Sequence, residues 1–424
     1  MPSPVPQGQI GLAVRPTTAA NWEWLLWLCG SRAAVSLAFM MYAGAIPELI
    51  GDWGMTAAQA GFVQTVFNGS YALSLVLTGW LSDRLGARRV FLWSSWCTAA
   101  VGVLVALFAR SFESGAILFA LFGLFQGGTY TPSIMLVAQG VPSERRGSSI
   151  GLLLAGASLG YAASIAAVTA AIALVDYRLA FVICGGAPTV AAMAAWMATR
   201  GRPNLITWRR SAAPAAPAFS SRRTSALLTL GYTAHCWELL GMWAWMPAFL
   251  LASLAASSAV ETMTQGIWIG IAIHLSGAVS AFTMGHASDR FGRRSVLIAL
   301  ALFGAVCSLS IGWLDQAPSA VLLGLTTLYG FAVLGDSPVL STAISEAVPP
   351  SVLGSALAVR SILGFGAGGL APLAFGALRD AAPIGFGWIS AFSCLGMGGL
   401  LAAVFAVYLP GFRSAETPQP ASPT

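Results

Sequence analysis

The stretch GWLSDRLGARRV (residues 79–90) returns as GHASDRFGRRSV (residues 285–296), 206 positions further along a chain of 424 residues. Gly79, Ser82, Asp83, Arg84, Gly86, Arg88 and Val90 meet identical residues at Gly285, Ser288, Asp289, Arg290, Gly292, Arg294 and Val296. The same offset pairs Pro132 with Pro338, and after a slip of one it pairs Val141, Pro142, Gly147 and Ser148 with Val348, Pro349, Gly354 and Ser355. Chance similarity does not hold register over that distance, so the chain is a repeat of two halves.

Both copies lie between long apolar runs, in a chain that is 57% hydrophobic and only 8% charged, with a mean hydropathy of +0.77. So few charges do not cover a water-soluble surface of this size, and the solvent is largely lipid. Twelve apolar segments follow one another, at residues 24–50, 57–78, 90–109, 115–139, 149–175, 179–199, 226–253, 264–284, 295–314, 319–344, 355–377 and 384–409. Each approaches or exceeds the roughly 20 residues that a helix needs to cross hydrocarbon, whereas a barrel strand needs only about ten alternating ones. The expected fold is therefore all-α and integral to the membrane, with twelve helices in two parallel-repeat bundles. The first apolar run is too long for a signal-peptide core and is expected to stay as a span.

All 21 basic residues are arginines, and they report the orientation. Sixteen fall in the tails or loops on one side and only Arg110, Arg178 and Arg379 on the other, which places both termini in the cytoplasm and the chain in the inner membrane. The net charge of +6 is a topological signal, and nucleic acid is not an expected partner. The expected division is a tail at 1–21, a bundle at 22–199, a linker at 200–224, a second bundle at 225–410 and a tail at 411–424. The linker carries six arginines and no acid, as suits a flexible segment against an anionic leaflet. The six cysteines lie singly inside apolar segments and read as buried thiols.

A twelve-span chain with G-x-x-x-D-R-x-G-x-R-R between spans two and three, echoed between spans eight and nine, resembles the Major Facilitator Superfamily of secondary transporters. The resemblance covers residues 22–410 and implies two six-helix bundles rocking about a central cavity, with a substrate site near the midplane. It also implies a gating role for Gly79, Asp83, Arg84, Gly86, Arg88, Gly285, Asp289, Arg290, Gly292 and Arg294. On that pattern Asp83 faces the start of span eleven (351–355) and Asp289 the start of span five (143–149). Both would latch the cytoplasmic side. The small size of Gly79 and Gly285 suits close helix approach, and an aspartate suits a helix N-terminus. The alternative reading gives these loops orientation by charge alone, which accounts for the arginines but not for the aspartates and glycines.

Charged residues at membrane depth cost at least about 2.5 kcal/mol each and usually serve a function. Glu238 in span seven and Asp336 in span ten are candidates for proton coupling, with His235 and His274 beside them. His235 and Glu238 stand three apart and share a helix face, a spacing that suits proton exchange or a polar packing cluster. His274 matches Asn68, and Asp336 matches Tyr130, in helices that read as unbroken. The titratable member is in the C-terminal half each time. Asn68, Tyr71, Gln126 and Tyr130 are then expected to offer neutral hydrogen bonds to substrate. Arg32 and Arg360, the two cations inside apolar segments, are candidates for gripping an anion, or for snorkelling to the interface. Trp243 lies deeper than the interface that tryptophans favour and is a candidate for a cavity wall, with core packing as the alternative.

These residues point to a proton-coupled symporter of a small organic anion such as a carboxylate, working as a monomer in lipid without metal or cofactor. A proton-driven drug or metabolite exporter is the alternative. Family exporters tend to carry an arginine and a Gly-Pro pair where this chain has Gly123 and Gly160-Tyr161, which counts against export. A transport-inactive receptor is more remote. An enzyme is not expected, since the chain has no metal-spaced histidine pair and no nucleotide-binding loop.

Overall fold

A computed structural model describes residues 22–206, 222–254, 258–348 and 350–410. Every regular element among them is helical. Eleven stretches are long and apolar enough to cross a membrane: Glu23–Asp52, Ala57–Leu85, Ala87–Phe108, Ser149–Leu174, Tyr177–Thr199, Arg222–Leu254, Val260–Phe291, Arg293–Ile311, Ser319–Ala347, Ala356–Ala381 and Gly387–Val407. The remaining span, the fourth in chain order, is two shorter helices, Phe112–Gly127 and Tyr130–Gly140. Pro132 has no N–H to give the Gly128 carbonyl, and the helix breaks there. A similar break before Pro372 divides span eleven into Pro350–Gly368 and Ala371–Ala381. With the fourth span counted, the architecture is the twelve-helix, two-repeat layout read from the sequence.

The two copies of the motif form matching turns. Gly86 has φ +89° and Gly292 φ +87°, left-handed conformations that a side chain disfavours, and each joins two antiparallel spans in a single residue. Packing repeats as well: spans two and four pair as eight and ten do, three and six as nine and twelve do, and one and five as seven and eleven do. Contact between the halves runs mainly through spans two and eleven and through spans five and eight.

The hydrophobic core is shared at one end and divided at the other. Away from the arginine-rich loops, one continuous core joins Phe39, Ile46 and Phe119 of the first half to Met242, Trp245 and Phe375 of the second. Towards the arginine-rich end, Leu28, Phe91 and Val137 form one core and Leu228, Val296 and Ile344 another. Among the described residues, the halves are therefore joined at the arginine-poor end and separately packed at the arginine-rich end.

An acid holds the joined end. The Asp380 carboxylate accepts hydrogen bonds from the backbone N–H groups of Ala57 (3.0 Å) and Ala58 (2.7 Å), the exposed start of span two. One turn on, Gly61 faces the Pro372 carbonyl with no room for a Cβ, and the Leu373 N–H donates to Thr65 Oγ1 at 3.3 Å. An anion on a helix N-terminus contributes about 1 kcal/mol. Replacing Asp380 by Ala should therefore loosen this end. In a cysteine-free background, a Thr65→Cys reporter should react several times faster with an impermeant maleimide after Asp380→Ala; an unchanged rate would remove the latch role.

Candidate functional site

In the first half the site is built around Arg32, which span one carries a turn and a half before the helix breaks at Ala38–Met40. Arg32 is only 6% exposed. Its Nη2 donates to the Tyr161 hydroxyl at 3.4 Å, its guanidinium stacks on the Tyr130 ring at 4.9 Å, and Tyr71 lies beside it. Tyrosines from spans two, four and five thus surround one cation. No acid pairs with it among the described residues, and its Nε has no partner. A planar fork held at depth, with a donor unsatisfied, matches a carboxylate.

In the second half, His235 Nδ1 lies 2.9 Å from Asp336 Oδ1, and the Ser337 hydroxyl meets Nε2 at 3.0 Å. The expected exchange between His235 and Glu238 is absent from this arrangement. The two share a helix, but the imidazole turns to span ten, which brings a carboxylate closer than the next turn of its own helix does. Glu238, 3% exposed, points into the bundle instead. It lies against the Tyr329 hydroxyl and among spans nine and twelve, where a Cβ on Gly399 would stand 2.6 Å from its Oε2. Arg360 is 8% exposed, stacks on the Tyr232 ring at 4.1 Å and donates from Nη2 to Ser341 Oγ at 3.2 Å. Its Nε and Nη1 have no partner, and no acid pairs with it among the described residues.

His274 stands apart from this cluster. Its ring lies between Tyr161 (5.4 Å) and Trp243 (5.5 Å), which come from opposite halves, and both its nitrogens are buried without a partner. Span eight is not an unbroken helix here, since a π turn at Ile271–Leu275 carries His274. Such turns widen the helix locally and often sit at functional positions. Trp243 also meets Phe39, so it is part of the aromatic contact between the halves.

The neutral candidates divide. Tyr71 and Tyr130 join the Arg32 cage. Gln126 donates its amide to the Val35 carbonyl at 2.8 Å, beside the break in span one, which makes it an anchor for that break. Asn68 accepts from Gln64 at 3.3 Å and keeps a free amide nitrogen.

In the motif itself, Asp289 is 64% exposed on its side chain and pairs with Arg293 of the next helix, which also reaches Glu346 of span ten at 2.9 Å. Arg88 donates to the Thr199 carbonyl at 2.9 Å, and Arg84 and Arg290 stack on the neighbouring rings of Trp80 and Phe291. Among the described residues, a Cβ on Gly79 would meet Thr131 of its own half at 3.7 Å, and no atom lies within 4 Å of one placed on Gly285. The expected docking of Asp83 on 351–355 and of Asp289 on 143–149 falls largely on side chains outside the described residues. The first linker residues fold back: Asn204 bonds the Leu85 carbonyl at 2.7 Å, and Arg202 stacks on Trp24 at 3.6 Å.

Sequence reasoning missed Tyr161, Tyr329 and Asp380. Tyr161 was legible only as a departure from a Gly-Pro pair, and Asp380 as one more acid at loop level.

Two halves joined at one end, each burying a cation with open donors, have the layout of a membrane carrier. The family model for the Major Facilitator Superfamily matches residues 28–273 and 261–424, and the chain belongs to that family. It is 27% identical to a protein named probable 4-methylmuconolactone transporter from Cupriavidus pinatubonensis, covering 80% of this chain and 82% of the relative. It is 23% identical to the cis,cis-muconate transport protein of Acinetobacter baylyi, covering 86% and 89%. The niacin transporter of the same organism is 24% identical, covering 82% and 83%. Among solved structures, a D-xylose-proton symporter superposes with a TM-score of 0.75 at 16% identity, covering 92% of this chain and 98% of that one. The xylose transporter XylE from E. coli gives 0.73 at 16%, covering 92% and 97%. The chain is thus a multi-pass membrane transporter of the superfamily, and its relatives move small organic solutes.

Proposed function

We propose that this chain is a proton-coupled symporter that carries a small organic carboxylate across the inner membrane, with both termini in the cytoplasm and bundles at 22–199 and 225–410. The observation that carries the reading is Arg32: a buried guanidinium among three tyrosines, with an open donor and no acid partner among the described residues. An uncompensated cation at depth is unfavourable until an anion reaches it. Muconate and niacin, named for two relatives, are carboxylates. Export of cationic drugs fits less well, because Arg32 and Arg360 would both repel a cation and neither is paired with an acid among the described residues. The His235–Asp336 pair and Glu238 supply groups that can exchange a proton within one bundle, while substrate lies between the two.

Reconstitution in proteoliposomes with an internal pH dye tests this directly. An inward proton gradient should raise uptake of cis,cis-muconate or nicotinate severalfold, with acidification that depends on substrate. If lipophilic cations exchange for protons and no carboxylate moves, the exporter reading replaces this one.

A further inference from the structure

The second unpaired arginine carries the reading further. Arg32 belongs to the first half and Arg360 to the second, and both guanidiniums are more than nine-tenths buried with open N–H groups. Neither reaches for the membrane surface. Arg32 is held by the Tyr161 hydroxyl and the Tyr130 ring, and Arg360 by the Tyr232 ring and Ser341. The two are also neighbours across the meeting of the halves. Tyr130, on which Arg32 stacks, lies in the field of Arg360 as well. Tyr71 packs on Phe365 at 6.2 Å between centroids, so the helix that carries Arg360 comes against the Arg32 cage.

Among the described residues no acid pairs with Arg360. Asp336 is paired with His235, and Glu238 faces the bundle interior against Tyr329. Two like charges therefore face one region, one from each half. A monocarboxylate placed there satisfies one fork and leaves the other buried and open. An anion with an acid group at each end satisfies both, and it ties the halves together through its own length.

We infer that the substrate is a small dicarboxylate, with one carboxylate on Arg32 and the other on Arg360. Arg360 thereby becomes the residue that separates diacids from monoacids. This rests on the carboxylate reading above, and the two fail differently. The probe is a six-carbon diacid, cis,cis-muconate or adipate, against its own monomethyl ester, which keeps the length and removes one charge. Binding is measured by titration calorimetry on the purified full chain.

The wild-type chain should bind the diacid at least about tenfold more tightly than the monoester. Arg360→Gln should remove the diacid's advantage, bringing the two ligands within about twofold of each other, and Arg360→Lys should keep part of the preference. Arg32→Gln should weaken both ligands. Equal wild-type affinities for diacid and monoester would overturn the inference while leaving carboxylate transport standing. So would an Arg360→Gln chain that keeps its preference. If no carboxylate binds at all, the parent reading falls with it. The wild-type comparison needs no variant, so a failure of Arg360→Gln to fold leaves the test intact.

Discussion

Replacing Arg32 by Gln should cut carboxylate uptake by about a hundredfold or more while leaving the empty carrier at least as heat-stable as before. The first half of that expectation follows from the fork geometry. A bidentate, charge-assisted contact shielded from water is worth a few kcal/mol, and about 2.7 kcal/mol is a hundredfold in affinity. Lysine keeps the charge but not the fork, so Arg32→Lys should fall between the two. The second half follows from the missing partner. The groups that hold Arg32 are tyrosines, its Nε is unsatisfied and no acid pairs with it among the described residues, so the empty carrier bears an uncompensated cation. Glutamine removes that charge and can still reach a hydroxyl. Thermal melts with and without substrate separate the two roles. A binding role predicts an unchanged or higher melting temperature in the empty protein and loss of the substrate-induced shift. A drop of several degrees with that shift preserved would make Arg32 a packing residue.

Arg32 was legible in the sequence for a simple reason: a charge inside an apolar run is conspicuous without knowing what surrounds it. The doubled motif and the twelve spans were legible for the same kind of reason, since hydropathy and an exact repeat are local or periodic signals. What surrounds the charges was not. His235 and Glu238 share a helix face by spacing, yet the face at a bundle centre looks onto several other helices at once. Asp336, 101 positions beyond His235, reaches the imidazole because span ten passes there. Tyr161 signalled only a departure from a Gly-Pro pair, because tyrosine is unremarkable in a span, and its place beside Arg32 appears only when Arg32, Trp243 and His274 converge on it. The breaks before Pro132 and Pro372 are physical consequences of proline, but a continuous apolar run hides them. Asp380 looked like an ordinary loop acid, and its role depends on the start of span two being packed against it.

Glu238→Gln should abolish proton-driven accumulation while preserving substrate exchange. The Ser308 hydroxyl gives its proton to the Phe392 carbonyl at 2.9 Å, and a carbonyl only accepts. Tyr329 therefore gives its own proton to Ser308, at 3.0 Å. Glu238 lies beside this pair, 3% exposed and with its Oε1 unpartnered, and among the described residues no cation stands by to balance a carboxylate charge there. A proton on the carboxyl removes the cost of that charge, and this is the loaded form of the site. Glutamine offers an N–H in the same place and cannot release it, so the variant is fixed in the loaded form. Counterflow, in which labelled substrate exchanges for unlabelled at equal pH, needs no release and should stay within about twofold of wild type. Accumulation against a gradient should fall at least about tenfold, and the dependence of uptake on external pH should flatten. Asp336→Asn, which leaves His235 without its acid, should weaken coupling as well. If both variants still acidify the liposome lumen in step with substrate entry, proton coupling does not reside in the C-terminal half.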